Sequence, residues 1–118
     1  MKTVDLQELA MFTGTQQYHY LNPKTLLTDG AMYLAVNAEC FWLMDAISSH
    51  LLTMKNASSY AHVNLAVSNS EGDLVITDGN GVVLGKQHFG YTDFPLEHID
   101  LYCVYENDVW IVMLTSEY

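Results

Sequence analysis

The hydrophobic positions of this chain change period once, near residue 58, which separates a helical first half from a stranded second half. Val4 to Phe12 places Leu6, Leu9 and Ala10 at helical spacing before Gly14, predicting a short amphipathic helix. Thr15 to Asn22 is polar and aromatic, ends at Pro23 and reads as loop. Thr28-Asp29 then supplies an N-cap hydroxyl and a first-turn acid, and Ala31, Leu34, Ala35 and Ala38 carry the helical spacing to at least Asn37. Glu39 to Leu52 predicts a further helix, with Phe41, Trp42, Met44, Ile47, Leu51 and Leu52 covering more than one face, as in a widely buried helix.

From Ser58 the period is two. His62 to Val67 alternates, Asn69 to Gly72 is a turn, and Asp73 to Thr77 is a strand. Asp78-Gly79-Asn80-Gly81 is a strong hairpin turn that returns into a strand at Val82 to Leu84. Tyr91 to Pro95 is a loop. Asp100 to Tyr105 and Val109 to Leu114 form a second hairpin around Glu106-Asn107-Asp108, apolar on both faces as mid-sheet strands are. Helices followed by hairpins predict an α+β fold, with N-terminal helices packed on one face of a four- to five-stranded antiparallel sheet. Residues 1–118 read as a single domain without repeats or linkers.

Charge changes this picture from fold to partner. Fourteen carboxylates face four lysines, no arginine is present, and the formal net charge is -10. Arginine is the usual grip on phosphate and base edges, so direct binding to nucleic acid or an anionic membrane is disfavoured. The acids are uneven: residues 71–118 carry nine of them against Lys86 alone. Duplex DNA carries a charge every ~1.7 Å, about 18 over a ~30 Å face, so nine carboxylates mimic at most a short stretch of it. A solubilising surface is the alternative reading of the same charge. Cys40 and Cys103 lie in apolar runs and are expected to be small buried hydrophobes, in keeping with a reducing cytoplasm. The first residues lack the pattern of a signal peptide, and no apolar stretch approaches the ~20 residues of a membrane span.

Catalytic and metal chemistry find little support. His19, His50, His62, His88 and His98 show no helical i, i+4 pair, and no Cys-x-x-Cys is present, although His62 and His88 could meet across strands. No cofactor motif appears. Gly79 and Gly81 are turn glycines, without the Lys-Ser/Thr of a phosphate loop. Asp45 is unexpected inside Trp42 to Ile47; if buried, it should anchor a loop by accepting hydrogen bonds, with a functional acid as the alternative. Asp93 before Phe94-Pro95 suits an Asx-type turn. Tyr18-His19-Tyr20 resembles a stacking platform but lacks basic neighbours, and fits a protein contact or core feature better.

Four blocks together resemble a small uncharacterised domain family of bacteria and mobile genetic elements. They are Phe12-Thr13-Gly14-Thr15, the run from Thr28-Asp29-Gly30 through Tyr33-Leu34-Ala35 to Phe41-Trp42-Leu43-Met44-Asp45-Ala46-Ile47, Tyr91-Thr92-Asp93-Phe94-Pro95-Leu96, and Leu114-Thr115-Ser116-Glu117-Tyr118. A proline is expected where Thr115 stands. The family has no established activity, so it assigns no catalytic residues. The resemblance implies a phage or plasmid setting, where small acidic proteins often bind and block host machinery.

The expected function is therefore a non-catalytic acidic inhibitor that docks on a basic surface of a bacterial nucleic-acid-binding defence complex, with a CRISPR effector as the expected target. Asp73, Asp78, Glu97, Asp100, Glu106 and Asp108 stand at predicted turns and strand ends and are the expected contacts. The alternatives are an accessory protein that forms a homodimer through the apolar hairpin of Leu101 to Tyr105 and Val109 to Leu114, and a small enzyme using Asp45 or Asp93 with a histidine. No metal or cofactor is expected, and the compartment is expected to be the cytoplasm.

Overall fold

A computed structural model describes residues 4–53 and 58–118. In chain order the elements are α1 (Leu6–Ala10), β1 (Tyr18–Asn22), β2 (Thr25–Thr28), α2 (Asp29–Asn37), α3 (Phe41–Thr53), β3 (Tyr60–Ser68), β4 (Glu71–Thr77), β5 (Val83–Phe89), β6 (His98–Glu106) and β7 (Val109–Leu114), followed by a 3-10 turn at Thr115–Glu117. The strands form one seven-stranded sheet in the order β1-β2-β7-β6-β3-β4-β5. Every pairing is antiparallel except β2 with β7, which run parallel with Leu26 opposite Ile111.

This corrects the expected architecture of four to five antiparallel strands behind N-terminal helices. The difference lies in Tyr18–Asn22, read as loop, and Thr25–Thr28, read as the approach to a helix cap. Together they make a hairpin, tightened at Pro23 where Asn22 Oδ1 accepts from Lys24 N at 2.9 Å. Strands of four and five residues are too short to declare a period. The added hairpin stands between α1 and α2, so the helices do not all precede the sheet, and β2 joins β7 to make the sheet mixed.

One face of the sheet is the core. Leu27, Val112, Cys103 and Ala61 fall in one cross-strand row, with Val63, Leu65, Leu74, Ile76, Leu101 and Trp110 on the same side; all are buried. Leu34, Leu43, Met44, Ile47 and Leu51 of α2 and α3 complete that cluster. The two helices meet across Ala38 to Cys40, where Glu39 takes a left-handed φ of 50° and stops α2. Small polar contacts set α3 on the sheet: Ser48 Oγ lies 2.6 Å from Thr25 Oγ1, and His50 Nε2 lies 2.9 Å from Gln87 Oε1. At Gly85 an added Cβ would come within 3.0 Å of His50 Nδ1, so this close approach favours glycine.

Asp45 is on the exposed side of α3 and not in the core. Its apolar neighbours Leu43, Met44 and Ile47 turn inward, and Asp45 faces water as the helical period requires. Asp45→Ala is expected to change unfolding free energy by less than about 0.5 kcal/mol in urea denaturation.

Candidate partner-binding surface

The second face of the sheet carries neither α2 nor α3. Pairing and alternation place Tyr60, His62 and Asn64 of β3, Asp100 and Tyr102 of β6, Glu71, Asp73 and Val75 of β4, and Lys86 and His88 of β5 on it together. Toward β1 it becomes apolar, with Met113, Ile111, Leu26 and the exposed Tyr20. The face is thus aromatic and apolar on one side and acidic on the other.

Two polar groupings organise the acidic side. Asp100 Oδ1 accepts from Asn64 Nδ2 at 3.0 Å and lies 3.0 Å from His62 Nε2. His88 spans two acids, with Nδ1 2.7 Å from Asp73 Oδ1 and Nε2 3.1 Å from Glu71 Oε1. The hydrogen bond to Asp73 raises the His88 pKa, with smaller help from the Asp73 and Glu71 charges and against partial desolvation. A raised folded-state pKa makes this bridge stabilising below the unfolded value of about 6.5, and the contribution fades as pH rises through the folded pKa. An NMR titration should therefore find His88 above the value it has in an Asp73→Asn, Glu71→Gln variant.

A tyrosine trio borders Asp100. Tyr102 packs against Tyr60 with ring centroids 5.7 Å apart and edge-on against Tyr118 at 5.1 Å, and Tyr60 and Tyr118 lie 5.7 Å apart. His62 sits edge-on to Tyr102 at 5.5 Å. Burial, followed by the neighbouring Tyr102 and Tyr118, raises the Tyr60 pKa. Sequence reasoning overlooked the trio, although the period-two spacing of Tyr60, His62 and Asn64 and of Asp100 and Tyr102 was there to be read.

The six acids expected as contacts do not share one face. Asp73 and Asp100 lie on the open face. Glu97 precedes β6 at one end of the sheet, where its carbonyl accepts from Val67 N. Asp78 and Asp108 occupy turns at the opposite end, where Glu106 closes β6 at the far edge of the open face. Asp78 also has a local task, since its Oδ1 accepts from Asn80 N and Val82 N at 2.8 and 3.2 Å. Asp108 takes a left-handed φ of 66° in the β6–β7 turn.

Other candidate chemistry disperses. His62 and His88 lie on β3 and β5, separated by β4, and each is held by carboxylates. Among the described residues no group of three or more His, Cys, Asp or Glu is arranged to hold a metal. Cys40 and Cys103 are buried, and burial pushes the Cys103 thiol pKa far up, away from nucleophilic use. Tyr18 and Tyr20 share one side of β1, but His19 turns the other way, with Nε2 2.9 Å from Asp29 Oδ1, so the three do not form one platform. That bond, with Gln16 N on Oδ2, lowers the Asp29 pKa. No described helix is long and apolar enough to cross a membrane.

The four blocks of the resemblance meet at two junctions. Thr15 Oγ1 accepts from Asp29 N at 2.9 Å, and Glu117 accepts from Thr28 Oγ1 and Gly30 N at 2.6 and 3.0 Å, which ties the first and last blocks to the start of α2. Trp42 packs edge-on against Phe94 at 6.5 Å, joining the α3 block to the Tyr91–Leu96 loop. These contacts hold the fold together at the ends of elements.

No curated protein matches this chain. A crystal structure of a protein of unknown function from Enterococcus faecalis shares the fold with a TM-score of 0.52 at 12% identity, covering 86% of this chain and 98% of that one. A family model matches residues 4–118, nearly the whole chain, and the protein accordingly belongs to the family of unknown function DUF6876.

Proposed function

We propose that this protein is a non-catalytic binding domain that docks on a basic surface of a protein partner and shields it from nucleic acid. The observation that supports this reading is the open face of the sheet, where tyrosines and apolar side chains adjoin Glu71, Asp73 and Asp100 and the only described lysine is Lys86. Aromatic residues and methionine are the types enriched at protein interfaces. Seven strands spaced ~4.8 Å apart give a face about 29 Å across, enough for the ~800 Å² that each partner contributes to a standard interface. Because the six expected acids divide between this face and both ends of the sheet, the blocking contact is short and does not imitate a length of duplex. A nucleic-acid-binding defence complex, a CRISPR effector among them, is the class of target with such a surface.

The test is capture from nuclease-treated bacterial lysate at low and high salt, with mass spectrometry of what is retained. Recovery of an arginine- and lysine-rich nucleic-acid-binding protein that elutes at high salt is expected, followed by loss of its nucleic-acid binding when this chain is added. A captured protein that still binds nucleic acid normally would sink the shielding role.

Self-association is the second reading. Of the apolar hairpin once expected to bury a dimer face, Leu101, Cys103, Trp110, Val112 and Leu114 are already used in the core. Tyr102, Val104 and Met113 remain part-exposed on the open face, where Ile111 is already buried. Sedimentation over a range of concentrations separates the two readings.

A further inference from the structure

Asp100 and Tyr102 stand on the open face of the sheet, two residues apart along β6. Tyr102 packs edge-on against Tyr118, whose ring is 71% exposed. The Asp100 carboxylate beside this aromatic edge is oriented in advance: among the described residues its hydrogen bonds, from Asn64 and with His62, both end on Oδ1, and Oδ2 can take a donor from outside. Among the described residues its ion-pair partner is His62, and Lys86 lies three strands away on β5.

We propose that the open face receives an arginine side chain presented by a basic protein partner. Its guanidinium lies between Asp100 Oδ2 and the Tyr102–Tyr118 edge, with its alkyl stem along the exposed ring of Tyr118. Arginine suits the place better than lysine because its planar group stacks on aromatic rings while forking onto a carboxylate, and because it is the more weakly hydrated cation. The acidic surroundings favour this cation and oppose a phosphate-bearing occupant. The inference rests on the basic-partner reading above and names the group that the partner supplies.

The experiment is calorimetric titration of the full chain with hexa-arginine and with hexa-lysine at low salt. Hexa-arginine is expected to bind at least about fivefold more tightly, the preference that stacking and the bidentate fork supply. Asp100→Asn should weaken hexa-arginine about tenfold. Tyr118→Leu, at an exposed position, should remove most of the preference for arginine, whereas Glu106→Gln with Asp108→Asn at the far end should change affinity less than about twofold. If the two peptides bind alike and Asp100→Asn binds as the parent does, the arginine site is overturned while the basic-partner reading survives. If neither peptide binds, both fall together.

Discussion

Replacing Glu117 by alanine is expected to lower the unfolding free energy by about 2–3 kcal/mol, as removal of a carboxylate from several otherwise unpaired donors does. This one side chain accepts from Thr28 Oγ1 at 2.6 Å, from Gly30 N at 3.0 Å and from Leu114 N at 2.9 Å. It therefore ties the turn after β7 to the first turn of α2, where helix amide groups lack internal partners and the helix dipole favours negative charge. Thr28 alone would remain as the cap, through its bond from Ala31 N at 3.2 Å. Glu117→Gln keeps an acceptor without the charge and should recover about half of the loss.

Gly30 supplies a second way to reach the same contact. A Cβ there would lie 2.5 Å from Glu117 Oε1 and 2.6 Å from Leu114 Cδ1, so Gly30→Ala should displace the carboxylate and cost about 1–3 kcal/mol. Because both changes break one contact, the double variant should be less destabilised than the sum of the two singles. Urea midpoints at constant m measure all three. A Glu117→Ala chain as stable as the parent would show that the carboxylate is not what joins these blocks.

Reversing Asp73 and Asp100 to lysine is expected to weaken binding to a basic protein partner about a hundredfold, since each reversal replaces an attraction with a repulsion on one face. Asp73 is exposed and Asp100 half-buried, both on the sheet surface away from the core, so circular dichroism should still show the parent fold. The deficit should appear in the association rate as well as in the lifetime of the complex, and shrink as salt screens the surface. Glu106→Lys with Asp108→Lys changes net charge equally but sits at the end of the sheet, and should cost less than about tenfold. Equal losses from the two pairs would mean that net charge, and not the open face, governs docking.

The elements that sequence alone made legible are those stabilised by residues close in the chain. The cap at Thr28 is found where a hydroxyl precedes an acid, and the hairpin turn at Asp78 to Gly81 uses Gly79 and Gly81 at φ 88° and 96°, where a side chain would be strained. The period-two runs after residue 58 became β3, β4, β6 and β7. The hairpin of β1 and β2 was missed because β1 is a short edge strand and β2 is specified by partners more than eighty residues away: Thr25, Leu26 and Leu27 lie opposite Trp110, Ile111 and Val112. A parallel pair of that separation leaves no local signature.

The candidate surface follows the same division. Composition by itself determined a strongly acidic chain without arginine, and hence the sign of the partner it suits, because charge is counted whatever the fold. Alternation along β3 and β6 determined which residues share a face within each strand. Only the tertiary structure decided that β6 lies beside β3, that Asp100 meets His62 and Asn64, that Tyr118 comes back over Tyr102, and that the other acids go to opposite ends. Strand order and the return of the chain after β7 are set by how the whole apolar surface closes into one core, and no window of neighbouring residues contains that information.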